Sequence, residues 1–587
     1  MTTDSLPAKP VITAWNWKRL SAIALLVVLA LWARFYLFFP ISNLSPDAVD
    51  YVNIARNLAE GRGFIHSIKW HFFTDDPVIH SAAGERPPLY PVLVSVIWRL
   101  GGRIATIDAI NVLLGVAAVV VLFLLYENVL GWIWPAFAAA ALVALNRNVA
   151  KACVYPWSEP LFSLLHAGAF LLLFKALASR PAPESVASAD SPPRGLRMQL
   201  NRSDVLALIA GVIAALTYLA RPTGIVLSIA AVVVMIVVRR WRTLALFLLP
   251  NIAIIGVWLT IVWILKGDPF FSVQAHHFRV VNISEGMGIG WGARIQSSDE
   301  FYRTHPILPM VIMNAWEYTT EFLGRPFLGM PIQTWTGRKF PYLGVMFFFV
   351  AVGIVFLGRW TIHRLKSRGA MLGLAALGHF LLVSLVWATH EGDRFLQPVF
   401  VLFIPLWVGA VFDAARWVIR RMPKVLGSVV WALVGVAWLS VAWVYVHDLI
   451  LTRIALSQTL PLPLASAAER ERLNLLVPQG AVIATDDPFV SNWWLDRPSI
   501  WLPSRAGWPK AREFFNEYSV TFISVMNTED SLFAGRLMSL TEHGLIRRLS
   551  DDFMPGEVWY MVVPQPESES GAKDSSSSPA GGSGERR

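Results

Sequence analysis

Apolar runs of membrane-spanning length recur at 20–40, 106–126, 131–147, 161–178, 203–220, 225–238, 243–265, 341–358, 369–388, 396–416 and 425–446. Crossing the hydrocarbon layer takes about 20 apolar residues in a helix, because lipid offers a backbone N–H or C=O no partner. The pattern predicts a polytopic α-helical membrane protein with about 11 transmembrane helices. Residues 41–105 are too polar to cross, but 46–60 and 88–100 read as helices. In the first, Tyr51, Ala55 and Leu58 share one face while Asp47 and Asp50 share another, as in a helix lying along a membrane surface. After about residue 448 the period changes. Strand-like runs at 481–485, 499–502, 520–525 and 557–563 alternate with helical stretches near 466–477, 509–518 and 530–540, which predicts a C-terminal soluble α/β domain. Residues 179–202 read as a flexible connector, and 566–587, rich in Ser, Gly and charge, as a disordered tail.

Charge orients this pattern. The 587 residues are 55% hydrophobic and 15% charged, with a formal net charge of +10. The basic residues cluster between apolar runs, at Lys18-Arg19, Arg239-Arg240-Arg242, Arg359 to Arg368 and Arg416 to Lys424. Short cytoplasmic loops retain Lys and Arg, so these clusters report topology and require no nucleic acid partner. With Lys18-Arg19 inside, an odd span count places 41–105, 148–160, 266–340, 389–395 and everything after 447 outside. All the basic clusters then fall inside. The expected organisation is a cytoplasmic N-terminus (1–18), a transmembrane domain (19–447), an extracytoplasmic α/β domain (448–565) and the tail (566–587). The run from Leu20 to Phe39 is too long for a signal-peptide core and predicts an uncleaved first span. The single cysteine, Cys153, excludes an internal disulfide and a Cys-based zinc site.

Candidate chemistry concentrates in the outer loops. Ser45-Pro46-Asp47 is a helix start with Ser45 as cap, and Asp47 is either a first-turn acid or a carboxylate placed to take a proton from a hydroxyl. Arg86, in Glu85-Arg86-Pro87-Pro88, meets lipid headgroups or grips a phosphate. Glu159, in Trp157-Ser158-Glu159-Pro160, opens a span as a cap-like acid or faces a cavity. Arg221-Pro222-Thr223-Gly224 is a snorkelling arginine or a tight turn that aims a cation inward. Arg394, in the short loop Gly392-Asp393-Arg394-Phe395, is a further phosphate ligand candidate, with the prenyl path expected near Trp387 and Phe395. His276-His277 in the long outer loop are metal ligand candidates together with Glu85, although adjacent histidines point different ways on regular structure.

The order of these motifs, from Asp47 and Tyr51 through Glu60-Gly61-Arg62-Gly63, Arg86-Pro87-Pro88-Leu89-Tyr90, Ser158-Glu159-Pro160 and Arg221-Pro222-Thr223-Gly224, resembles one family. It is similar to the bacterial relatives of the protein O-mannosyltransferases, including the lipid A aminoarabinose and galacturonic acid transferases, family 39-like enzymes of the GT-C fold. The likeness covers about residues 15 to 450. It implies a bacterial inner-membrane enzyme that transfers a sugar with inversion from a polyprenyl-phosphate donor to an extracytoplasmic acceptor: lipid A, a glycan, a glycolipid or a protein. By the same resemblance Asp47 is the catalytic base. Arg86 by the same resemblance contacts the donor phosphate and Glu159 helps form the cavity; Arg221 and Arg394 are further phosphate-binding candidates because cations stabilise the developing phosphate charge, and Asp50 and Tyr51 are candidates for the acceptor side of the cavity. Glu85 and His277 are the positions for a divalent metal ion. One departure is Ala48, where the family often has a second acid after the base; Asp50 is then the substitute, or the acceptor sits differently.

A secondary transporter or lipid flippase would also be polytopic and carry intramembrane charge. Such proteins often show inverted repeats and interrupted spans at the midplane, and here the acids and arginines gather in outer loops. A membrane scaffold leaves the ordered loop motifs unexplained.

Overall fold

The computed structural model describes residues 17–38, 45–69, 78–84, 86–178, 200–270, 303, 307–318, 368–386, 392–458, 467–502, 511–525, 531–549 and 558–563. In chain order the first elements are α1 (Trp17–Leu37), α2 (Pro46–Ala59), strand β1 (Ile68–Lys69), α3 (Leu89–Arg99), α4 (Ile104–Leu130), α5 (Ile133–Leu145), α6 (Arg147–Lys151), α7 (Glu159–Ala178), α8 (Arg202–Ala220), α9 (Ile225–Val237) and α10 (Trp241–Lys266). Helices Ile307–Glu317, Arg368–Val386, Gly392–Phe395, Gln397–Ile419 and Lys424–Gln458 follow. Among the described residues seven helices are long and apolar enough to cross a membrane: α1, α4, α7, α8, α10, Gln397–Ile419 and Lys424–Leu456. The shorter apolar segments Ile133–Leu145, Pro222–Val237 and Gly369–Leu385 coincide with three more expected spans, and 341–358 lies outside the described residues. The chain is a multi-pass membrane protein.

Small residues set the helix spacing. An added Cβ at Gly211 would lie 2.2 Å from the Phe247 carbonyl oxygen, so α8 and α10 meet backbone to backbone. Ala138 to Ala141 of α5 are all buried, between α1, α4 and Gln397–Ile419. Where lipid is as apolar as the side chains, close packing of this kind replaces the hydrophobic driving force.

The last helix of the bundle exceeds its expected limit. Lys424–Gln458 has 35 residues, roughly 52 Å at 1.5 Å per residue, against a hydrocarbon layer of roughly 30 Å. Its far end is fixed by an Arg147–Asp448 ion pair at 3.2 Å and by the Arg453 guanidinium, which donates to the Phe38 carbonyl at 2.7 Å. Beyond it come helix Ala467–Leu476, β2 (Val482–Thr485), helix Pro488–Leu495, β3 (Ser499–Trp501), helix Ala511–Glu517, β4 (Val520–Val525), helix Ser531–Glu542, β5 (Ile546–Arg548) and β6 (Val558–Val562). One sheet of order β1-β3-β2-β4-β6-β5 results, parallel from β1 to β4 and antiparallel at β6 and β5.

The edge strand β1 belongs to the first loop. Ile68 pairs with Ser499 and Lys69 with Ile500, and Ile79 of the same loop joins the core under the sheet. The first loop and the C-terminal domain are therefore one folded body. The helix α2, one of those expected along the membrane surface, is enclosed by other parts of the protein. Every residue from Ala48 to Asn57 is buried, because α3 packs on one side and helix Pro488–Leu495 on another. Asn492 of that helix accepts from Asn53 at 2.8 Å and from Arg56 at 3.2 Å, and donates to the Arg497 carbonyl at 2.8 Å. The polar side of α2 is polar because it meets these buried partners.

Candidate active site

Five separated stretches of chain deliver charged side chains to one end of the bundle. Ser45 caps α2, its Oγ accepting from the Ala48 N–H at 3.4 Å, and Pro46 starts the helix; this puts Asp47 in the first turn, where the helix dipole favours a carboxylate. Arg86 precedes α3. Glu159 opens α7, and Arg221 has extended backbone (φ −152°, ψ 133°) between α8 and the Pro222–Gly224 turn. The turn is tight: a Cβ on Gly224 would stand 2.8 Å from the Thr217 carbonyl oxygen. Arg394 comes from the short helix ahead of Gln397–Ile419.

These groups form one continuous ion chain. His66 Nδ1 is 2.8 Å from Asp50, and the other Asp50 oxygen accepts from Arg86 Nε at 2.5 Å. Arg86 Nη2 donates to Asp47 at 2.9 Å, and the second Asp47 oxygen accepts from Arg394 Nη1 at 2.5 Å. Arg394 Nε donates to Glu159, whose same oxygen is 2.5 Å from Arg221 Nη1. Three carboxylates thus face three guanidiniums. Glu159 Oε2 is buried and, among the described residues, accepts no hydrogen bond.

Environment separates the members. The Asp47 side chain is 30% exposed, whereas that of Asp50 is only 2% exposed. Burial acts to raise the Asp47 carboxyl, but the Arg394 and Arg86 charges outweigh it and hold the group well below the usual carboxylate range. At Asp50 burial is likewise overcome, by His66 and Arg86, and the group is brought down to about 2. Arg86 and Arg394 are both raised in return, against their burial, by the acids they hold. Asp47 is the carboxylate of the cluster that solvent or a substrate reaches.

Of the residues expected to work together, the structure brings Asp47, Arg86, Glu159, Arg221 and Arg394 into contact. Asp50 and Tyr51, expected to face the acceptor, lie buried behind Arg86. Tyr51 packs its ring under that guanidinium at 5.2 Å, sets it edge-on to Tyr90, and has its hydroxyl 3.2 Å from Ser158 Oγ. Phe395 is 5.8 Å from the Arg221 guanidinium. Glu85, His276, His277 and Trp387 lie outside the described residues, and among those described no group of three His, Cys, Asp or Glu could hold a metal ion. Sequence reasoning passed over His66, Trp157 and Asn492. Only Trp157 left a signal, an aromatic two residues before a candidate acid.

The fold recurs in solved structures. The archaeal oligosaccharyltransferase AglB from Archaeoglobus fulgidus, in complex with an inhibitory peptide and a dolichol-phosphate, superposes with a TM-score of 0.52 at 14% identity, over 87% of this chain and 70% of that one. ArnT from Cupriavidus metallidurans bound to undecaprenyl phosphate gives 0.50 at 14% identity, over 93% of this chain and 99% of that one. The chain has the GT-C fold. A further Archaeoglobus fulgidus oligosaccharyltransferase structure, a complex with zinc and sulfate, matches at 0.52 and 13% identity over 88% of this chain and 69% of that one. No protein-family model and no curated protein matches the sequence. Within the GT-C fold the ion chain occupies the end of the bundle that the first loop and the α/β domain cover.

Proposed function

We propose that the protein is an inverting glycosyltransferase that moves a hexosyl or pentosyl group from a polyprenyl-phosphate donor to an extracytoplasmic acceptor. The observation that carries this reading is the convergence of Arg86, Arg221 and Arg394 on Asp47 and Glu159 at one end of a GT-C fold. The polyprenyl phosphates held by two proteins of like fold support the donor class. The basic clusters beside the spans support an orientation with residues 1–18 cytoplasmic and the domain 448–565 outside, and the sequence resemblance supports a bacterial inner membrane.

A polyprenyl phosphate is a good leaving group and needs no acid, only cations that stabilise its developing charge. In the resting site those cations are occupied by carboxylates. The donor phosphate takes Arg394 and Arg86 from Asp47 and so releases the carboxylate. The acceptor oxygen then attacks the anomeric carbon from the face opposite the phosphate. A carbon–oxygen bond forms to the acceptor, the bond to the phosphate oxygen breaks with its electron pair, and the acceptor proton passes to Asp47. A divalent cation at Glu85 and His277 belongs to the same reading, supported by the sequence resemblance and the zinc-containing neighbour.

The test is consumption of a panel of polyprenyl-phosphate sugars by membranes holding wild-type protein or Asp47→Asn, each with a mixed acceptor extract. Loss of one donor with wild type but not with the variant is expected, and it names the sugar. No consumption of any donor, where a control transferase works, would return the protein to the transporter or flippase class.

A further inference from the structure

We infer that Trp157 is a positioning residue that holds Arg394 where the guanidinium can be handed from Asp47 to the donor phosphate. This rests on the glycosyltransferase reading above. The Arg394 Cζ lies 3.9 Å from the centre of the Trp157 ring, closer than to the Phe395 ring at 6.0 Å. A cation at this distance over an indole face is attracted by the ring quadrupole, more strongly where water is excluded. Trp157 is 8% exposed, so the contact is largely desolvated.

The indole is fixed from two sides and its backbone from a third. Tyr155 stacks on it with centroids 4.9 Å apart and planes 17° apart. The Trp157 carbonyl accepts from Asn111 Nδ2 at 3.2 Å, tying the loop to α4. Its Nε1–H donates to Ser45 Oγ at 2.7 Å, and Ser45 is the cap of the helix that carries Asp47. One side chain therefore references Arg394 to the start of α2. When the phosphate displaces Asp47, the ion pair between residues 47 and 394 is gone, and the ring remains to keep Arg394 from following the carboxylate or turning wholly to Glu159. Neither burial nor the ion pairs alone would require an indole here: a Leu would fill much of the space but offer no π face and no N–H.

The experiment is a double-mutant cycle in the full-length protein in membranes, with Trp157→Leu, Trp157→Phe, Arg394→Ala and the combinations. The readouts are donor KM, kcat and the inhibition constant of undecaprenyl phosphate. Trp157→Leu is expected to raise donor KM and the inhibition constant together by roughly 3- to 30-fold, the range of a desolvated cation–π contact. Trp157→Phe, which keeps a weaker π face, is expected to restore most of that loss. In the Arg394→Ala background, replacing Trp157 should change the inhibition constant less than about twofold, since the ring then has no cation to hold. Multiplicative effects of the two substitutions, or a donor KM within about twofold of wild type in Trp157→Leu, would overturn the inference. Should Trp157→Leu not accumulate, Trp157→Met, which also lacks a π face, carries the same test in both Arg394 backgrounds. Wild-type consumption of donor in the same membranes separates failure of this inference from failure of the enzyme reading.

Discussion

Replacing Asp47 by Asn removes one charge and one proton acceptor while keeping the size and shape of the side chain. The neighbours tolerate the change. Arg86 keeps Asp50, Arg394 keeps Glu159, and the Ser45 cap of α2 is untouched, so no buried cation loses its last partner. The cluster passes from three carboxylates against three guanidiniums to two against three, and a phosphate no longer competes with residue 47 for Arg86 and Arg394. Donor affinity is therefore expected to hold or improve. The loss falls on the chemical step: removing a positioned general base costs about 100- to 10,000-fold, or roughly 2.7 to 5.4 kcal/mol in the barrier. The assay follows a labelled polyprenyl-phosphate sugar in detergent or membranes, with kcat and donor KM separated and undecaprenyl phosphate used as inhibitor. A kcat within tenfold of wild type would refute the base assignment. A large rise in donor KM at unchanged kcat would make Asp47 a binding group instead.

Because Arg394 and Arg86 depress Asp47 in the resting site, donor binding relieves that depression, and the acid limb of kcat should lie at higher pH than the acid limb of kcat/KM; coincident limbs would mean the phosphate leaves those arginines on Asp47. For stability the sign follows from Asp50, whose folded value near 2 lies below its unfolded value near 3.8. Its contribution is complete above the unfolded value and is lost as pH falls from about 4 to about 2, so thermal unfolding scans should shift downward in that window and less so in Asp50→Asn. Gly211→Ala would drive a Cβ to 2.2 Å from the Phe247 carbonyl, so forcing α8 from α10 should cost about 1–3 kcal/mol, read as a lower unfolding temperature in detergent. Chelation should reduce transfer and added divalent metal restore it in wild type but not in Glu85→Ala or His277→Ala; activity indifferent to chelators would remove both residues from the site.

Much of the architecture is legible without coordinates because lipid and backbone hydrogen bonding leave little choice. An apolar run of sufficient length must be a helix, and the β2, β3, β4 and β6 segments announce themselves as short branched and aromatic runs. The charged residues in the loops between spans were likewise visible, since an arginine or acid at a membrane boundary stands out against its apolar neighbours. What remained invisible was partnership. Nothing local distinguishes Arg86 bound to Asp47 from Arg86 bound to a headgroup, and the two-residue strand Ile68–Lys69 is too short to carry a period. The end of helix Lys424–Gln458, past its expected limit, is held by Arg147, which pairs with Asp448, and by the Phe38 carbonyl, which accepts from Arg453, and both partners lie far away in the sequence. By itself the sequence determines that the chain crosses a membrane several times, that α/β segments follow the helical bundle and which side chains are available for chemistry. Tertiary structure alone decides that β1 completes the C-terminal sheet, that α2 is buried on its polar side, and that three arginines share three acids. Helix formation is a local response to solvent, whereas ion pairing requires groups as far apart as residues 47 and 394 to meet within hydrogen-bond distance, and only the packing of the whole bundle supplies that distance.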